Sequence, residues 1–167
     1  MSRSTFQNSD PPIAYLLTWT TYGTWLPGDE RGWKPKATPS IQPVNPLFAE
    51  IAKAKLKEPP MLLDVTHRSA VEATIRTHCA YRTWLLHAVN ARSNHVHVVV
   101  AADGYAPEVV RDQFKAWCTR KLKSMGVGRE RFWTEGGSCR WINQEADLET
   151  AIMYVLEAQD RKSADET

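Results

Sequence analysis

Ser93-Asn94-His95-Val96-His97-Val98-Val99-Val100 sets two histidines one residue apart at the head of an unbroken apolar run. Valine, with its stiff branched side chain, favours a strand here. Alternate side chains on a strand share a face. His95 and His97 therefore project together, roughly 7 Å apart along the strand, while Val96 and Val98 point the other way. Two neutral imidazoles on one face grip a divalent cation when a third ligand comes from elsewhere. The plainer reading is a pair of histidines on a half-exposed strand, and a motif this short needs support from the rest of the chain.

Working outward, Trp84-Leu85-Leu86-His87-Ala88-Val89 reads as the preceding strand and Asn90 to Asn94 as the turn, so that His95 to Ala101 completes a β-hairpin. Ile13 to Tyr22, rich in β-branched and aromatic residues, reads as the first strand, central in a sheet and ended by Gly23. Asp64-Val65-Thr66 offers caps for a helix over Thr66 to Thr83. Its apolar stripe is Val71, Ile75, Cys79 and Tyr81 or Arg82. Pro107 is placed to open a second helix, in which Val110, Phe114, Trp117, Cys118, Leu122 and Met125 recur at steps of three and four. Gly126 and Gly128 end it. Arg131-Phe132-Trp133 and Cys139-Arg140-Trp141-Ile142 flank a Gly-Gly turn and read as strand, turn and strand. Asn143 is the expected cap of a last helix, with Glu145 and Asp147 in its first turn and Leu148, Ala151, Ile152 and Val155 on its apolar face.

The order matches an α+β, ferredoxin-like split β-α-β arrangement: an antiparallel sheet with helices on one face, plus a C-terminal helix. In that topology the first and third strands lie side by side at the centre, which puts the two histidines in the rigid middle of the sheet. The expected organisation is a flexible tail at 1–12, a single domain at 13–160 with a Pro-rich insert at about 24–64, and a frayed tail at 161–167. A short helix fits within Pro46 to Glu58.

At 167 residues the chain is long enough to bury one proper core. A formal net charge of +2 neither requires nor excludes a nucleic-acid partner, because local patches outweigh the sum. Cys79, Cys118 and Cys139 are scattered and form neither a disulfide framework nor a zinc knuckle; they suit a reducing cytoplasm and read as small core residues. No apolar run approaches the ~20 residues of a membrane span, and no secretory signal opens the chain, so no membrane partner is expected.

The last helix carries Tyr154 at the side of its apolar stripe, where the side chain can point along a helix–sheet groove toward the histidines. Glu157 lies one turn on, and Gln159 is a polar residue nearer the apolar face. These residues suit phosphodiester chemistry. A metal held by two histidines offsets charge on a phosphate, and a tyrosine hydroxyl attacks phosphorus and keeps the bond energy for rejoining. Mg²⁺ prefers oxygen ligands, so a two-histidine site also suits Mn²⁺. Lys115, Arg120, Arg129, Arg131 and Arg140 are candidate strand contacts, and the interleaving of Arg131 and Arg140 with Trp133 and Trp141 points to single-stranded nucleic acid.

The chain resembles the single-tyrosine HUH transposases of insertion sequences, the group that includes the REP-associated tyrosine transposases. The resemblance runs from Ile13 to Gln159 and rests on several segments: His87-Ala88-Val89, Ser93-Asn94-His95-Val96-His97, the helix with Phe114 and Lys115, Phe132-Trp133, Gly136-Gly137-Ser138 and Ala151-Ile152-Met153-Tyr154-Val155. It implies a divalent metal on His95 and His97, with Tyr154 as the nucleophile. It also implies cleavage and rejoining of hairpin-bearing single-stranded DNA through a 5′-phosphotyrosine, leaving a free 3′-hydroxyl. Members differ in whether two subunits exchange the tyrosine helix, so a homodimer is one of the states the resemblance allows. Two features depart from the family pattern. The amide-bearing third ligand often follows the tyrosine by four residues, where this chain has Ala158; the nearest amide is Gln159, and Glu157 is the other candidate. The Pro-rich insert is also longer than the compact core needs, and Trp25 to Trp33 within it is a candidate clamp for a DNA end.

The competing reading is a domesticated hairpin-DNA-binding protein that does not cut. A histidine-triad hydrolase would need a third alternating histidine where Val99 stands, and a 2H phosphoesterase needs two separated HxT or HxS motifs. A ferredoxin-like RNA-binding domain would present sheet aromatics in place of the paired histidines.

Overall fold

The structure is a computed structural model that describes residues 11–24 and 46–158. Residues 1–10 of the expected tail at 1–12, the expected tail at 161–167, the Trp25–Trp33 segment and Gln159 lie outside the described residues.

The element order is β1 (Ala14–Thr20), α1 (Pro46–Ala54), α2 (Val65–Arg82), β2 (Leu85–Ala91), β3 (His95–Ala101), α3 (Pro107–Ser124), β4 (Ser138–Ile142) and α4 (Glu145–Leu156). The four strands form one antiparallel sheet in the order β2-β3-β1-β4. This is the ferredoxin-like arrangement, with β1 and β3 at the centre.

Side-chain alternation gives the sheet two faces. Tyr15, Leu17 and Trp19 of β1 and Val96, Val98 and Val100 of β3 join Val71, Ile75 and Cys79 of α2 and Val110, Phe114, Cys118 and Leu122 of α3 in the main core. Trp19 stacks on Phe114 with ring centroids 6.3 Å apart. On the other face Ala14, Ala88, Val99 and Ile142 pack against Leu148, Ala151 and Val155 of α4. Two helices thus cover one face and the tyrosine-bearing helix the other. Burial pushes the Cys79 thiol up to about 12 and the Cys118 thiol higher still, so both are inert core residues.

Local chemistry sets the boundaries. Asp64 caps α2 by accepting the His67 N–H at 2.7 Å. Thr83 ends it in the left-handed region, at φ 63°. Pro107 opens α3 at its first turn.

Four local expectations are corrected. Arg131–Trp133 is not a strand; only an isolated bridge joins Trp133 to Thr21, because the segment turns back on the end of β1. The N-cap of α4 is Gln144 rather than Asn143, and its side chain makes no capping bond. Trp117, predicted on the core stripe of α3, is 44% exposed, and Tyr81 of α2 is 78% exposed. The strand β2 runs on to Ala91, with a bulge between Leu86 and Ala88, so the hairpin turn is shorter than predicted.

Candidate metal and tyrosine site

The register of three strands builds the site. His97 lies opposite Thr18 on β1 and Asn90 on β2, and His95 lies opposite Thr20. Directly opposed residues in an antiparallel pair project from the same face. The face that carries α4 therefore receives a polar row from the middle of an otherwise apolar sheet. Both histidines are buried, with ring centroids 4.5 Å apart and planes at 79°.

Each ring is held at Nδ1. The His97 Nδ1 lies 2.8 Å from the Thr18 Oγ1, and the His95 Nδ1 lies 3.1 Å from the Asn94 Oδ1. An amide oxygen only accepts, so His95 donates from Nδ1, and its lone pair is then at Nε2. Such a second partner is what fixes the tautomer and tilt of a metal-binding imidazole. The donor set and its support fit a divalent cation. Among the described residues no group of three His, Cys, Asp or Glu forms around the pair, and Glu157 is an exposed residue at the C-cap of α4.

Tyr154 comes to this pair from α4. Its ring packs edge-on against His97, with centroids 5.2 Å apart, and the side chain stays 53% exposed. The helix is held in place by its apolar face and by Asn90, whose Nδ2 donates to the Val155 carbonyl at 2.8 Å. One residue thus links the histidine row to the backbone beside the tyrosine. Sequence reading missed Asn90 and Thr18. Their signal was available only through register, since each is the strand partner of His97.

The loop before β4 closes the other side. The Thr20 Oγ1 donates to the Thr134 Oγ1 at 2.8 Å, and the Thr134 hydroxyl donates to the Thr21 carbonyl at 3.0 Å. Gly137, at φ +138°, lets this loop touch β1: a Cβ there would stand 2.7 Å from the Thr18 carbonyl oxygen. Lys115 of α3 donates from Nζ to the carbonyls of Thr134 and Gly136, each at 2.9 Å. Burial, aided by the charge of Arg111, lowers its ammonium to about 8.

The other predicted strand contacts are scattered. Arg140 is exposed on β4, opposite Leu16, on the histidine face. Trp141 is 62% exposed and alternates to the opposite face, in register with Tyr15. Arg120 lies on the outer side of α3, its guanidinium 4.6 Å from the Trp117 ring. Arg131 sits in a turn clamped by Glu58, whose carboxylate accepts the Arg131 N–H at 2.6 Å. These residues do not form one patch.

No helix among the described residues is long and apolar enough to cross a membrane. No family model matches the sequence, and no curated protein matches it. Solved structures do match. A structure of a REP-associated tyrosine transposase bound to a REP hairpin aligns over 93% of this chain and 70% of that one, with a TM-score of 0.53 and 11% identity. A structure described as a candidate transposase from Deinococcus radiodurans aligns over 95% of this chain and 100% of that one, at a TM-score of 0.47 and 11% identity, a level that adds no weight. The first likeness is one of fold, and it agrees with the resemblance read from the residues: this chain has the fold of a REP-associated tyrosine transposase.

Proposed function

We propose that the protein is a metal-dependent strand transferase acting on single-stranded, hairpin-bearing DNA. The observation that carries this reading is the packing of Tyr154 against His97, 5.2 Å between centroids, at a buried polar row in an otherwise apolar sheet. In the proposed reaction the Tyr154 hydroxyl oxygen attacks a backbone phosphorus and gives up its proton. The bond from phosphorus to the 3′-oxygen breaks, and that oxygen leaves as a 3′-hydroxyl after taking a proton. The 5′ end stays on the enzyme as a phosphotyrosine, and attack by another 3′-hydroxyl reverses the step. His95 and His97 would hold Mg²⁺ or Mn²⁺, with Gln159 or Glu157 as candidate third ligands, to offset charge on the phosphate oxygens. Thr18 and Asn94 keep the two rings oriented, and Asn90 keeps α4 over them. Arg140, exposed on the same face, is the predicted cation assigned as a strand contact.

The test is a denaturing gel. The purified protein is incubated with labelled hairpin oligonucleotides, including the sequence that flanks its own gene, with Mn²⁺ or Mg²⁺. The expected result is a covalent band that requires the metal and is lost to background in Tyr154→Phe. Ala158, standing where the family pattern has an amide, favours a second reading: a protein that binds the hairpin without cutting. Tight hairpin binding with no band under either metal would establish that reading and refute strand transfer.

A further inference from the structure

The outer surface of the α2–α3 layer carries a groove on the far side of the sheet from the histidines, with a cavity volume of about 750 Å³. Its walls are Trp117, which helical periodicity predicted for the core, and Tyr81, one of two alternatives at the end of the α2 stripe; the structure leaves them 44% and 78% exposed. Between them lies the buried ring of His78, at 24° to Tyr81 with centroids 6.4 Å apart and at 34° to Trp117 with centroids 5.8 Å apart. The His78 Nε2 is fixed 2.8 Å from the Gln113 Oε1, so the floor of the groove is rigid. Arg82, Arg120 and Lys121 also line it, beside the small residues Ala73, Thr74 and Thr77, and among the described residues no acidic side chain does. Arg120 stands 4.6 Å over Trp117, and Arg82 stands 5.8 Å from the Tyr81 ring.

Flat exposed rings beside cations, without a carboxylate, suit one chemistry: bases that stack, joined by phosphates that need neutralising. The two rings belong to different helices and the three cations are spread along both, which fits several linked nucleotides better than one. We propose that this groove binds single-stranded DNA, with bases stacked on Tyr81 and Trp117 and phosphates met by Arg82, Arg120 and Lys121. It is a second nucleic-acid contact, independent of the tyrosine chemistry. A strand that reaches both sites runs round an edge of the sheet.

The test measures fluorescence anisotropy of a labelled, unstructured oligodeoxythymidine of about 20 nucleotides on the full chain. Trp117→Ala is expected to weaken binding about tenfold, equivalent to ~1.4 kcal/mol, and Tyr81→Ala to act in the same direction. A double variant, Arg120→Gln with Lys121→Gln, changes only exposed side chains and leaves the core alone. It is expected to lower the slope of log affinity against log salt by about 1.4. Affinity within twofold of the parent in all three variants, each shown to be folded by circular dichroism, would overturn the proposal. So would competition by thymidine monophosphate at the same concentration as the strand, since the groove would then be a mononucleotide site. Binding is read without a covalent step, so a protein that forms no adduct still tests the groove.

Discussion

The two faces of the same sheet are built to opposite rules. Toward α2 and α3, β1 and β3 present Tyr15, Leu17, Trp19, Val96, Val98 and Val100, all sealed in one apolar core. Toward α4 the same strands present Ala14, Leu16 and Val99 as an apolar seat for the helix, and beside it a buried polar row of Thr18, Thr20, His95 and His97. The first face contributes stability through close packing, where loss of a side chain leaves a cavity. The polar row of the second contributes little beyond what its hydrogen bonds return, because each buried polar group must first be desolvated. Strand alternation lets one seven-residue element, β3, serve both purposes without compromise.

The contrast can be broken from either side. Phe114→Ala, in the sealed face, is expected to lower unfolding free energy by about 3–5 kcal/mol, read by chemical denaturation. His97→Ala is expected to cost only about 1 kcal/mol while abolishing metal-dependent adduct formation. Equal losses of stability from the two would erase the distinction between the faces. Gly137→Ala tests the loop that seals the polar face. Its Cβ collides with the Thr18 carbonyl and its φ of +138° disfavours any side chain, so a loss of about 2 kcal/mol is expected.

Asn90→Ala sharpens the contrast by separating placement from chemistry. It removes the bond to the Val155 carbonyl, at a cost of about 1 kcal/mol. Adduct formation should slow while metal affinity, measured by titration calorimetry, stays unchanged; a parallel fall in both would mean that Asn90 supports the histidines instead of the helix. An effect whose size depends on pH belongs to Lys115, whose pKa falls from 10.5 to about 8 on folding. Between those values the unfolded chain holds a proton that the folded chain has released, so this group makes stability rise with pH. The stability difference between the parent and Lys115→Met should therefore shift in favour of the parent from pH 7 to pH 10, and a flat difference would contradict the buried ammonium.

Much of this was legible in the residues. The Val run after His95 carries the strand signal, Pro107 the start of α3, and the period of Leu148, Ala151 and Val155 the buried face of α4. Three kinds of feature were hidden. Periodicity placed Tyr81 and Trp117 in the core because it reports which side of a helix is apolar, not where the neighbouring helix stops covering it. Lys115 read as a candidate strand contact because nothing local reveals that a loop about twenty residues on brings two carbonyls to its ammonium. Thr18 and Asn90 are ordinary strand residues until register sets them beside His97. The histidine pair and the tyrosine were visible as types and spacings, but their meeting depends on how α4 docks, which is a tertiary fact.

The bulge in β2 has a bearing on how relatives of this chain are recognised. Ala88 faces Val99 while Leu86 faces Val100, so His87 is a supernumerary residue between two stretches in opposite phase. A chain lacking that residue would keep every other partner in β2 and keep Asn90 beside the histidines. Against such a chain, a residue-by-residue match guided by hydrophobic alternation slips by one on crossing His87.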